Sequence, residues 1–536
     1  MDFLTLFILI PAVAAVLLVL VPERQKTLVS AIPTVASTAC LGMAVWLFGH
    51  ALQDGEPWLA KLTPERIPWV PSIGITWSVS CDGLSAAMVL LTSIVLFSGT
   101  LISIHSPASH TGIAERPKTF FILFLALVTG VFGVFLVRDL FFFYFSSELA
   151  VVPMYLLIGV WGSTSATADR QYAAMKLTLY LTAGALVALA GILVLYFRTS
   201  EVLGHPSFHM DDVLRARDTP GFNAPVHGWN FQHATFLLLF LGFAAIVPMW
   251  PLHTWSPIGH AAAPAAGSMM HAGVLMKLGA YAILRIAFPS CPEGAAHWLP
   301  WVAVISMANI IYGGLVAMAQ RDLKFVIGFS SSSHMGYTLL GLASLQMIGV
   351  SGAVFLMFAH GVMTALAFSL IGFFYDQTHN RWIPDLGGLA HQLPFIGTCF
   401  ALMAMASAGV PGFANFWSEF MVMLGAWQAG FRWQAVVSVF GVVISAVYLL
   451  RAVRDVFFGP RNPRWDKLHD AHGLQRLPYC FMLLVLLVFG FYPRPFTEVI
   501  RGDDTAGLQK IVKTVQATAA YRANYGERIE IAEGRR

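Results

Sequence analysis

Charge is what this chain lacks most. Asp, Glu, Lys and Arg make up 11% of its 536 residues, against about 25% in soluble globular domains. The formal net charge is only +4, which offers little to neutralise a phosphate backbone and excludes nucleic acid as a partner. Cysteine is scarce too. The five present, Cys40, Cys81, Cys291, Cys399 and Cys480, are scattered without close pairing, so no disulfide framework, iron–sulfur ligand set or other metal site is expected. There is no glycine-rich dinucleotide fingerprint and no phosphate-binding loop, hence no cofactor is expected in the chain itself. Long polar stretches are missing as well. The first apolar segment, 3–21, has neither a basic flank nor a small-residue cleavage site, and reads as a retained span.

What remains is apolar sequence. Hydrophobic residues are 57% of the chain and mean hydropathy is +0.70, more than a soluble fold can hide. Runs near the ~20 residues that cross a bilayer core recur throughout. They lie at about 3–21, 28–50, 83–104, 118–137, 140–161, 173–197, 232–253, 264–288, 298–319, 325–345, 350–375, 394–426, 433–458 and 477–493. The expected fold is an all-α polytopic membrane protein of about fourteen spans. The inserts are 51–82 and 198–231, and the stretch 506–525 of the tail is patterned as an amphipathic surface helix. Fifteen Lys and Arg follow odd-numbered spans and eight follow even-numbered ones. By the positive-inside bias both termini are expected on the outer side of the membrane.

Against this background three ionisable residues stand out inside apolar runs: Glu148, Lys277 and Glu419. An ionised group at the bilayer centre costs ~2.5–3.5 kcal/mol even on lenient scales, and chains carry it where charge or protons must cross. A structural salt bridge between helices is the plainer alternative. Two spans also hold backbone breakers, Pro248 and Pro251 in the seventh and Pro411-Gly412 in the twelfth. Proline frees a carbonyl, tolerated at membrane depth only against protein or a wet cavity. Interrupted helices in matching places mark transporter sites, although a packed kink explains each one singly. His334 and His360 lie in spans ten and eleven, and His253, His260 and His271 gather around the start of span eight. Imidazole exchanges protons near neutral pH; a lone intramembrane histidine is more often a hydrogen-bonded packing residue than a relay.

The segments SSELAVVPMYLLIGVWG (146–162), PLHTWSPIGHAAAPAAGSMMHAGVLMKLGAY (251–281), RDLKFVIGFSSSSHMGY (321–337), FAHGVMTALAFSLIGFFYD (358–376) and GVPGFANFWSEF (409–420) resemble the antiporter-like membrane subunits of respiratory complex I. The resemblance runs from about residue 68 to about 460. Glu419, where L- and N-type subunits have lysine, and a short tail favour the M-type (chain 4) pattern. The resemblance implies two inverted five-helix repeats and interrupted helices seven and twelve. That gives segments 1–117, 118–288 (helices four to eight), 298–458 (nine to thirteen) and 459–536. It also implies a proton relay through Glu148, Lys277, His334, His360 and Glu419, with Lys176 and His271 as further candidates. NADH, FMN, iron–sulfur clusters and quinone would sit in partner subunits, beside L-, N- and K-type neighbours in a bacterial plasma membrane.

One departure stands out. The family's span-seven lysine falls here on Ile246, and the acid of its PDAH-like motif is replaced at Ile258 or Gly259. The leading reading is a proton-translocating subunit of an NADH:quinone oxidoreductase. A multisubunit cation/proton antiporter subunit, a membrane subunit of an energy-converting hydrogenase, and a proton-inert structural subunit are the alternatives. Gene neighbours would separate them.

Overall fold

The computed structural model describes residues 2–63, 65–105, 115–164, 169–225, 228–502 and 507–526. Its helices are α1 (Phe3–Leu20), α2 (Lys26–Lys61), α3 (Gly83–Ile104), α4 (Pro117–Leu136), α5 (Leu140–Trp161), α6 (Arg170–Leu203) and the short α7 (Met210–Arg217). Then follow α8 (Phe231–Ile246), α9 (Trp255–Ala262), α10 (Ala265–Ser290), α11 (Pro292–Ala319), α12 (Leu323–Ser344) and α13 (Met347–Thr378). The last are α14 (Pro394–Ser407), α15 (Ala414–Gln428), α16 (Arg432–Phe457), α17 (Leu477–Phe491), α18 (Arg494–Arg501) and α19 (Gly507–Gln516). Among the described residues, eleven helical stretches of 18 or more residues are apolar enough to cross a membrane, the last being Gly473–Phe491, which is α17 with the helical turn before it. The 22-residue α12 is not one of them, because the Ser330–Ser333 run lowers its hydropathy.

The few acids cap helices instead of decorating them. Asp82, Asp139, Asp169 and Asp322 each accept backbone N–H bonds at the start of α3, α5, α6 and α12, satisfying donors a helix leaves unpaired. In lipid, helices gain nothing from hydrophobic exclusion and pack through small residues. Gly184 on α6 meets Gly242 on α8, where a methyl group would lie 2.9 Å from the Gly242 carbonyl oxygen. Gly425 on α15 meets Gly349 on α13, where a methyl group would lie 2.3 Å from the Gly349 Cα. A buried ion pair, Arg285 to Asp82 at 2.6 and 2.7 Å, ties α10 to α3.

The inserts hold more structure than their composition suggested. α2 continues to Lys61 across Gly55, where φ is 67°. A two-stranded antiparallel hairpin, β1 (Ile67–Val70) and β2 (Ile75–Trp77), follows. In the second insert α6 extends to Leu203 and α7 docks on the hairpin's end of the molecule. There Arg66 bonds Asp212 and Asp211 at 3.1 to 3.3 Å, Ser207 Oγ donates to Asp212 at 2.7 Å, and the Asp211 N–H donates to His209 Nδ1 at 3.2 Å. At the opposite end Arg381 pairs with Asp322 at 2.7 Å.

The tail forms the amphipathic helix read from its sequence, though its apolar face is covered by the protein itself. Leu508, Ile511, Val512 and Val515 are buried, Gln516 donates to the Leu345 carbonyl and Tyr525 to that of Ala343, both at 2.7 Å. Residue 506, the first of the predicted 506–525 stretch, lies outside the described residues.

Candidate functional site

Both proline-marked spans are interrupted. Between α8 and α9 the chain leaves the helix over 247–254, and between α14 and α15 over 408–413. The freed backbone groups find named partners. The Trp250 N–H donates to Asn309 Oδ1 at 3.1 Å, and Asn309 Nδ2 donates to the Ser332 carbonyl at 2.9 Å, pinning the first break to α12. At the second break the Ser407 carbonyl faces His334 Nε2 at 3.3 Å. A methyl group on Gly409, whose φ is +66°, would lie 2.8 Å from Glu419 Oε2. The backbone turn therefore cradles the carboxylate.

Four of the sequence candidates form one line. Lys277 Nζ lies 2.9 Å from His360 Nδ1 and also donates to the Ala272 carbonyl. The rings of His360 and His334 are 5.0 Å apart between centroids. His334 Nε2 is 3.3 Å from Glu419 Oε1, an ion-pair distance without well-directed hydrogen-bond geometry, since that oxygen has no hydrogen-bond partner among the described residues. None of the four residues is more than 3% exposed. Lys277 and His360 share one proton between a lysine nitrogen and an imidazole nitrogen. His334 faces acceptors on both sides, Ser330 O at 2.8 Å and Ser407 O with Glu419 on the other, so it can donate twice only as the imidazolium. Buried polar atoms ordinarily have partners, yet His360 Nε2, the Ser407 hydroxyl and both side-chain polar atoms of Asn415 have none among the described residues. Such atoms are places for transient water.

Glu148 stands apart. It borders a cavity of about 20 Å³ lined by Ser147, Leu181, Ile246, Trp255 and Leu278 among others, room for about one water. Its Oε1 has no hydrogen-bond partner among the described residues. Ile246 therefore sits where a lysine would have met Glu148. The His271 ring lies against His260, tilted by 45° with centroids 4.1 Å apart, and packs against Trp255 at 5.3 Å. An ideal α-helix puts His271 about 240° around from Lys277; the helix here is instead π over His271–Leu275, so that angle does not hold. Lys176 lies outside the line, 5.6 and 5.9 Å from the rings of Tyr172 and Tyr180. His253 packs 5.1 Å from the Tyr312 ring.

Two residues escaped the sequence reading. Trp255 gave no signal beyond aromaticity. Lys324 is one of the fifteen cations that follow odd-numbered spans in the sequence, yet it is buried and donates to the Ala263 carbonyl at 2.8 Å. It borders a cavity of about 370 Å³ with Asp376, Tyr375, Arg170 and Glu115. The signal was its place two residues after a helix-capping aspartate.

A helical multi-pass membrane protein with two interrupted helices and a buried file of titratable side chains is the class defined so far. Residues 137–445 match the family described as NADH:quinone oxidoreductase/Mrp antiporter, transmembrane, and the chain belongs to that family. It is 34% identical over 528 residues to NAD(P)H-quinone oxidoreductase chain 4 of Gloeobacter violaceus, covering 97% of this chain and 95% of that one. It superposes on a chain of respiratory complex I from Thermus thermophilus with TM-score 0.81 and 26% identity, covering 96% and 99% of the two chains. An archaeal membrane-bound sulfane sulfur reductase chain shares the fold at TM-score 0.79 and 22% identity, covering 96% and 99%.

Proposed function

We propose that this chain is an M-type (chain 4) proton-translocating membrane subunit of a quinone oxidoreductase. The observation that carries the reading is the file Lys277–His360–His334–Glu419, in which neighbouring groups are close enough to exchange a proton directly or through one water. Full-length similarity to chain 4 relatives supports the particular subunit. The full reading has fourteen spans in two inverted five-helix repeats, with repeat boundaries at 118–288 and 298–458. Both termini lie on the outer side of a bacterial plasma membrane, beside L-, N- and K-type subunits. NADH, FMN, iron–sulfur clusters and quinone belong to the partners, and this chain supplies no redox group. In this scheme Lys277 and His360 pass a proton to His334, and Glu419 releases it beside the break at 408–413. Glu148, Lys176 and His271 belong to the first half.

The test is redox-driven proton pumping in inverted membrane vesicles carrying Glu419→Gln. Pumping should fall sharply while electron transfer and assembly persist. Wild-type pumping in that variant would remove the reading.

A further inference from the structure

Glu148, half-buried with its Oε1 enclosed, and the buried His271–His260 pair are among the titratable groups that the file from Lys277 to Glu419 does not use. Between them stands Trp255. Its side chain lines the Glu148 cavity and its ring packs 5.3 Å from His271 on another side. Both ring nitrogens of His271, Nδ1 of His260 and Oε1 of Glu148 have no hydrogen-bond partner among the described residues. Two sets of unsatisfied proton-exchanging atoms thus face one indole.

The indole is also placed to move. Trp255 is the first residue of α9, directly after the break at 247–254. Its Nε1–H donates to the Ala245 carbonyl in the last turn of α8 at 2.9 Å, so one hydrogen bond staples the two halves of the interrupted helix. The prolines within the break, Pro248 and Pro251, leave few backbone bonds to couple α8 and α9. A small swing of α9 would break the staple and carry the ring away from the Glu148 cavity.

We propose that Trp255 is the gate of the first half-channel. In the closed arrangement its indole separates Glu148 from the histidine pair. In the open one the vacated space admits water, and a proton passes between the Glu148 carboxyl and an imidazole nitrogen of His271. The pair then serves where an ion pair between Glu148 and residue 246 is not available. Trp255 is a positioning residue; it exchanges no proton itself. The proposal rests on the proton-translocation reading and is separable from it by experiment.

The full chain is reconstituted in liposomes enclosing a pH-sensitive dye, and proton flux is followed after an imposed pH step. Trp255→Phe keeps an aromatic ring in place, though a smaller one, and removes the staple. Flux should rise about fivefold, the shift expected from loss of one neutral hydrogen bond. The rise should vanish in Trp255→Phe combined with Glu148→Gln or with His271→Leu, which a general leak through a loosened helix would not do. Trp255→Leu should raise flux further; if it fails to fold, the phenylalanine series stands alone. Unchanged flux in Trp255→Phe, or a rise that persists in either double variant, overturns the gate. Glu419→Gln tests the underlying reading separately: flux that survives it removes the file ending at Glu419 as the route, whereas lost flux with an inert Trp255→Phe removes only the gate.

Discussion

Lys277 on α10 and His360 on α13 meet at 2.9 Å, nitrogen to nitrogen, although 83 residues separate them in sequence. Two nitrogens at that distance hold one proton between them, so one must donate and the other accept. Replacing Lys277 by Met keeps the length and apolar stem while removing the exchangeable site. Proton transport in vesicles should drop by about 100-fold or more, the usual contribution of a placed acid–base group, with the detergent-purified variant still folded. A Lys277→Met variant that transports normally would break the file at its start.

Gly409→Ala attacks the other end through the backbone. A φ of +66° costs a non-glycine residue about 1–2 kcal/mol, and the new methyl group would press on Glu419 Oε2 from 2.8 Å. The variant should lose thermal stability and also displace the carboxylate from His334. Transport should fall toward the level of Glu419→Gln. Stability loss with full transport would mean that the turn shapes the fold but not the site.

Ile246→Lys places an ammonium beside the cavity that Glu148 borders. The unpartnered carboxyl oxygen gives it a counter-charge, so the variant should assemble and transport at no less than half the parent rate, far above Lys277→Met. The check is a side-by-side vesicle assay. A variant that fails to assemble, or that ranks below Lys277→Met, would contradict this placement.

The docked segment around His209, outside the spans, should respond to pH. Burial, and then the Arg66 guanidinium, push His209 down to about 4. An unfolded imidazole titrates near ~6.5. Between those two values the undocked segment binds a proton that the docked one refuses. Docking is therefore fully favourable above the unfolded value and weakens as pH falls, by up to ~1.4 kcal/mol per pH unit. Protonating Nδ1 would also remove the acceptor of the Asp211 N–H. Burial would raise Asp212, but its bonds from Ser207 and Arg66 win and hold it below the usual carboxylate range, adding a loss of the same sign at lower pH. Amide protection factors of residues 205–217, corrected for the intrinsic exchange rate at each pH, should fall between pH 7.5 and 5, and His209→Asn should flatten that change.

The spans were readable because twenty apolar residues have few other fates, and Glu148, Lys277 and Glu419 were conspicuous because charge is costly in such runs. Their mutual distances were not readable. Lys277 reaches His360 through the packing of α10 near α13, which no local pattern encodes. The hairpin at 67–77 hid behind Pro68 and Pro71 and a mere four residues of strand. The pairing of His260 with His271 was obscured for a different reason: periodicity arguments assume 3.6 residues per turn, and α10 does not keep to it.

That departure gives α10 an unusual sensitivity to length. Over His271–Leu275 the Met276 N–H reaches back five residues to the His271 carbonyl. An α-turn would have sent it to Ala272, whose oxygen instead receives the Lys277 ammonium. The turn thus carries one surplus residue. Deleting a single residue between 271 and 275 would restore regular winding and return the Ala272 oxygen to the backbone ladder. A span that lipid alone would tolerate at one residue shorter would lose the lysine's acceptor.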